Sequence, residues 1–152
     1  MNIYASLIEI LLVEDNPGDV ELMHEAFSDS KISNSIHVTG DGEAALDFLY
    51  QRNGYENAVR PDVIFLDINL PKRDGKEVLN IIKNDPLIKA IPVVVMTGSA
   101  AERDILKSHR IHADCYITKP VTLASFLEVI RSVGEFWLGA VKLPPRSVEQ
   151  AA

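Results

Sequence analysis

The chain has 152 residues, 47% hydrophobic and 24% charged, which is enough to bury one real core and is typical of a soluble globular domain. A formal net charge of −7 and a sequence pI of about 5.0 exclude a sequence-independent nucleic-acid binder, which needs a basic surface, and a protein docked on anionic lipid. The single cysteine, Cys115, excludes an internal disulfide and fits a reducing, cytoplasmic setting, and no apolar run approaches the ~20 residues of a membrane span.

The N-terminal stretch MNIYASLIEILLV has no basic leader and already carries Glu9, so it reads as a strand (7–13) and not as a signal peptide. Asn16 and Pro17 predict the cap and first residue of a helix whose apolar face is Val20, Met23 and Phe27. Residues 35–39 form a short strand. From Gly42 a second helix turns Ala45, Phe48 and Leu49 inward. DVIFL at 62–66 is a strongly buried strand, and 75–84 is a helix with Val78, Leu79 and Ile82 apolar, stopped by Pro86. IPVVVM at 91–96 is another buried strand, and 100–108 a short helix with Ile105 and Leu106 as its apolar residues. A last strand at 113–117 precedes a last helix, 122–137, with Leu123, Phe126, Leu127, Ile130, Val133 and Trp137 on one stripe.

Strands that are apolar almost throughout, alternating with amphipathic helices, mark an α/β protein with a parallel sheet covered on both faces. Ligands in such sheets gather beyond the carboxyl ends of the strands. Glu14, Asp15, Asp67, Thr97 and Lys119 stand at those ends, and a parallel sheet brings them to one small area. Three carboxylates at one edge repel each other unless a cation joins them, and oxygen-only ligands point to Mg²⁺. Mg²⁺ and Lys119 would present positive charge to a phosphoryl group, with the Thr97 hydroxyl as a donor to it. Asp67, at the centre, is the natural carboxylate nucleophile, giving an aspartyl-phosphate.

Over residues 7–137 the sequence resembles the receiver domain of two-component response regulators. The matching motifs are Val-Glu-Asp at 13–15, FLDINLPKRDG at 65–75, Met-Thr-Gly at 96–98 and Thr-Lys-Pro at 118–120. The resemblance implies that Asp67 accepts phosphate from a sensor histidine kinase. It implies that Glu14, Asp15, Asp67 and the backbone carbonyl of Asn69 hold Mg²⁺, and that Thr97 and Lys119 contact the phosphoryl group. It makes Tyr116 the aromatic partner of a Thr97 switch, and it implies a cis Lys119–Pro120 bond. The expected architecture is a doubly wound, flavodoxin-like five-stranded parallel sheet of order 2-1-3-4-5 flanked by five helices.

The loop at 50–61, the NLPKRDG run and the tail from Phe136 look like single-domain regulators that accompany phytochromes. That likeness makes a phytochrome the expected kinase. The chain is expected to divide into a receiver domain at 1–137 and a C-terminal extension at 138–152, with homodimerisation through the face of the helix at 100–108, the strand at 113–117 and the last helix, together with the tail at 136–144. With no output domain after 137, signalling is expected to pass to an unknown downstream protein by contact, not to nucleic acid or membrane. The chain is thus expected to be no enzyme beyond its own phosphorylation and slow dephosphorylation.

Two other readings of the same sheet differ in chemistry. An aspartyl-phosphate phosphatase usually carries a second acid two residues after the nucleophile to protonate the leaving group, and Asn69 stands there. A flavodoxin-like cofactor carrier needs a Ser-, Thr- or Gly-rich phosphate loop after the first strand, where this chain has Glu-Asp-Asn-Pro. His109 and His112 read as a solvated helix end, and Cys115 as a small buried hydrophobe.

Overall fold

The structure, a computed structural model, describes residues 7–30, 32–108 and 113–129. Five parallel strands form one sheet: β1 (Ile8–Val13), β2 (Asn34–Thr39), β3 (Val63–Asp67), β4 (Val93–Thr97) and β5 (Cys115–Thr118), in the order β2-β1-β3-β4-β5. Between them run α1 (Pro17–Asp29), α2 (Gly42–Leu49), α3 (Gly75–Asn84) and α4 (Ala100–Ser108), and residues 123–129 are helical after β5 and are called α5. The expected class and strand order are those observed. Among the described residues no helix is long and apolar enough to cross a membrane.

Alternation along each strand sorts the core into two layers. Leu11, Val13, Ile64, Leu66, Val93 and Val95 face α2, α3 and α4, where Leu46, Leu49, Val78, Leu79, Ile82 and Leu106 meet them. Ile10, Leu12, Val63, Phe65, Val94 and Met96 face α1 and α5, against Met23, Phe27, Phe126 and Val129. The Phe27 ring sits 4.4 Å from that of Phe126 and 5.3 Å from that of Phe65, so one aromatic cluster joins both helices to the sheet. Because both faces are covered, the central strands are apolar at every position, which is why they read as unbroken runs.

Boundaries differ from the sequence reading for identifiable reasons. β3 starts at Val63 because Asp62 brackets its neighbour instead: its carboxylate accepts from the Glu9 N–H at 2.8 Å. Asp114 does the same before β5, accepting from the Val93 N–H at 2.7 Å while pairing with Lys83 at 2.6 Å. Pro92 has no N–H to give to a ladder, and β4 begins after it. On α4 Leu106 is buried while its neighbour Ile105 is 55% exposed, because a short helix on a sheet edge buries a narrow stripe. On α5 the buried positions are Phe126 and Val129, with Leu123 and Leu127 half-buried. Cys115 is half-buried, not fully enclosed. The expected continuation of the last helix to Trp137, the 138–152 extension with its dimer role, and His109 and His112 lie outside the described residues.

At the carboxyl edge of the sheet the loops are held by caps. Asn16 and Asp41 accept from the N–H groups of Asp19 and Ala44, starting α1 and α2. The loop from β3 to α3 turns through Lys72 at φ 65°, and Lys72 pairs with Asp41 at 3.4 Å while Arg73 pairs with Glu43 at 2.7 Å. Gly75 is obligatory there: a Cβ on it would lie 2.6 Å from the Ile68 carbonyl oxygen and 2.7 Å from that of Asp67. The start of α3 therefore presses directly on the end of β3.

Candidate functional site

Four of the five strand-end side chains, Glu14, Asp15, Asp67 and Lys119, meet at the carboxyl edge, while the Thr97 hydroxyl turns elsewhere. Asp67 closes β3 and is 4% exposed; Glu14, one step past β1, is 2% exposed; Asp15 beside it is open to solvent. Carboxylate oxygens of Glu14, Asp15 and Asp67 all lie within 4.8 Å of one another. Lys119, just beyond β5, reaches into this group with Nζ 2.9 Å from Asp67 Oδ2 and 2.6 Å from Glu14 Oε1. The Glu14 contact is a close ion pair outside hydrogen-bond alignment, whereas the Asp67 contact is an aligned hydrogen bond. The Lys119–Pro120 bond is cis, as the resemblance implied.

Burial dominates the charge state of Glu14 and pushes its carboxyl above the usual range, against the pull of Lys119 and of the Asn16 N–H. Burial alone would depress Lys119. Its close contacts with Glu14, Asp67 and Asp19 outweigh that and hold the ammonium well above the ordinary lysine value. Lys119 is therefore a fixed positive charge. Three carboxylates, Glu14, Asp19 and Asp67, contact this one ammonium and a fourth, Asp15, lies beside two of them, and the surplus of negative charge fits a divalent cation.

The remaining expected residues sit as follows. The Asn69 N–H donates to Asp67 Oδ1 at 2.9 Å, fixing the carboxylate. Thr97 closes β4, fully buried, with its hydroxyl directed at the backbone carbonyls of Ser99 (3.1 Å) and Ile117 (3.4 Å) and not at Asp67. Tyr116 is half-buried on β5, packed against the core layer of α2 to α4, with the Lys107 ammonium 5.4 Å from its ring centre.

Two residues were missed by the sequence reading. Asp19 Oδ2 lies 3.0 Å from Lys119 Nζ, 100 positions away. In sequence it is only an acid in a first helical turn, where the helix dipole already accounts for it. Glu102 accepts from the Gly98 N–H at 2.8 Å and from Asn69 Nδ2 at 3.1 Å. Its signal was Ser99-Ala-Ala-Glu102, a helix-start pattern that carries no hint of a reach across to β3.

The response regulator receiver domain model matches residues 10–131. The chain belongs to this family. Response regulator Rcp1 of Synechocystis sp. is 45% identical over 135 residues, covering 89% of this chain and 92% of Rcp1. The Mn²⁺-bound form of Rcp1 superposes with a TM-score of 0.71 at 44% identity, covering 90% of this chain and 99% of that one. The phosphorylated cyanobacterial phytochrome response regulator RcpA gives a TM-score of 0.72 at 44% identity, over 89% of this chain and 96% of that one. The bacteriophytochrome response regulator RtBRR gives 0.79 at 39% identity, over 84% of this receiver chain and 78% of RtBRR. A receiver domain signals; neither the phosphatase nor the cofactor-carrier reading gains support from these likenesses.

Proposed function

We propose that this receiver domain is a response regulator phosphorylated on Asp67 by a sensor histidine kinase. The observation that carries the reading is the buried Asp67 carboxylate, clamped by Lys119 and lying within 4.8 Å of Glu14 and Asp15. A carboxylate nucleophile needs its charge accessible and its rotamer fixed, and the Asn69 N–H and the Lys119 ammonium fix both oxygens. In the transfer, an Asp67 oxygen bonds to phosphorus as the phosphorus–nitrogen bond to the kinase histidine breaks, and the imidazole leaves with the electron pair. Lys119 then turns from the carboxylate to the phosphoryl oxygens, and Thr97 donates its hydroxyl to them after leaving its backbone carbonyls.

Glu14, Asp15 and Asp67, with the Asn69 carbonyl, are the residues that would hold Mg²⁺, and the ion would neutralise charge on the phosphoryl oxygens. The acidic cluster and the Mn²⁺-bound form of the relative Rcp1 support a divalent ion here. The likeness to phytochrome response regulators supports a phytochrome as the kinase. We read residues 1–137 as the receiver and 138–152 as an extension used in homodimerisation, the protein as cytoplasmic, and the output as contact with a downstream protein. Movement of Thr97 toward the phosphoryl group leaves space that Tyr116 follows inward, biasing α4, β5 and α5.

Phosphotransfer from candidate kinases, with and without Mg²⁺, compares the wild type with Asp67→Asn. Label that requires Mg²⁺ and disappears in Asp67→Asn is expected. Label that persists in the variant overturns the assignment.

A further inference from the structure

Ser99-Ala-Ala-Glu102 has the spacing of a capping box, in which the acid reaches back to the serine's own N–H. The serine half forms, since Ser99 Oγ accepts from the Glu102 N–H at 3.1 Å. The acid half goes elsewhere. Glu102 Oε1 takes the Gly98 N–H at 2.8 Å, and Oε2 takes the Asn69 side-chain amide at 3.1 Å. One carboxylate thereby ties the loop after β4 to the loop after β3. Both donors belong to residues next to Asp67 in the fold: Gly98 follows Thr97 at the end of the strand paired with β3, and Asn69, two residues after Asp67, gives its separate backbone N–H to Asp67 Oδ1.

Two N–H donors converging from separate loops on an oxyanion, beside a nucleophilic carboxylate, form a small anion seat. We propose that Glu102 is a resident anion in that seat, holding donors that an incoming phosphoryl group recruits, and that phosphorylation of Asp67 evicts it and frees the first turn of α4. This rests on the reading of Asp67 as the phosphoacceptor. The phosphoryl group adds roughly −1.5 to −2 of charge and three strong acceptor oxygens. It both repels Glu102 and competes for the same donors. With an acyl phosphate as donor, an Asp67 oxygen bonds to phosphorus, the phosphorus–oxygen bond to the acyl group breaks, and the carboxylate leaves with the electron pair. No proton moves, so Glu102 acts on the approach and seating of the donor and not on bond-making. It is a positioning residue.

The test labels the full chain with acetyl phosphate in Mg²⁺, following initial rates against donor concentration for the wild type, Glu102→Gln and Asp67→Asn. Glutamine keeps the length, an acceptor oxygen and the capping pattern while removing the charge. The half-saturating donor concentration is expected to fall about fivefold in Glu102→Gln, with the maximal rate within about twofold of wild type. The Gly98 amide resonance of the wild type is expected to shift on labelling, because its acceptor changes. Unlabelled wild type overturns the phosphoacceptor reading and this proposal with it. Labelled wild type with an unchanged half-saturating concentration in Glu102→Gln, or a Gly98 resonance that stays in place on labelling, overturns the Glu102 proposal alone.

Discussion

Lys119 Nζ stands 2.9 Å from Asp67 Oδ2, joining the end of β5 to the end of β3 across the width of β4. The same ammonium also serves Glu14 and Asp19, so a single cation holds together three acids drawn from the first and third strand ends and from α1. Lys119 thus holds the site together by its own contacts.

Replacing Lys119 by Met leaves Glu14 and Asp67 buried without their cation. The expected loss is about 2 kcal/mol at neutral pH, the scale of a charged hydrogen bond removed from a part-buried site. The sign with pH follows from the raised lysine pKa: the contribution is complete below the unfolded value, roughly 10.4, and is lost only as pH rises through the higher folded value. Urea titrations at pH 7 and pH 8 should therefore give the same difference between wild type and variant. Added Mg²⁺ should recover part of it, because the ion replaces the missing charge.

Glu14→Gln separates stability from metal binding. Burial raises the Glu14 carboxyl against the pull of Lys119, an ammonium that Glu14 shares with Asp19 and Asp67, so its charge costs stability in the metal-free chain. The variant should be more stable than wild type by about 1 kcal/mol in chelator. It should gain less from Mg²⁺, with affinity down about tenfold or more. Thermal melts with chelator and with a Mg²⁺ series measure both effects; equal metal stabilisation in the two proteins would remove Glu14 from the ligand set.

Gly75→Ala and Gly40→Ala should part company. At Gly75 the new Cβ meets the Asp67 and Ile68 backbone at 2.6–2.7 Å, which no side-chain adjustment relieves. A loss of about 3 kcal/mol is expected, together with impaired labelling, because α3 must move away from the end of β3. At Gly40 nothing lies within 4 Å and the backbone is not left-handed, so alanine should be neutral or stabilising by about 0.5 kcal/mol. Chemical denaturation of the two variants gives the comparison.

Tyr50 and Asp85 pair by a hydrogen bond between the end of α2 and the turn after α3, on the edge of the sheet away from Asp67. That bond holds the Asp85 carboxyl below the usual range, while burial, with the Asp85 bond, raises the Tyr50 phenol. The lowered acid contributes stability above its unfolded pKa of about 3.9, lost as pH falls through the folded value; the raised phenol contributes below about pH 10, lost as pH rises further. Tyr50→Phe should therefore flatten the stability profile at both extremes and leave labelling of Asp67 unchanged. A profile identical to wild type from pH 3 to pH 11 would show that the pair is energetically silent.

What the sequence alone determined is the part that depends on local pattern. Unbroken apolar runs ending in Glu14, Asp67, Thr97 and Lys119 already specify a parallel sheet covered on both faces, and with it which side chains meet at the carboxyl edge. Tertiary structure alone decided the contacts whose partners are set by loops. Asp19 meets Lys119, Glu102 passes its own cap to reach Gly98 and Asn69, and Ile105 faces outward while Leu106 is buried. Strand ends converge by topology, which periodicity encodes. The direction of a side chain in a first helical turn depends on how far two separately built loops approach, and no short stretch of sequence carries that distance.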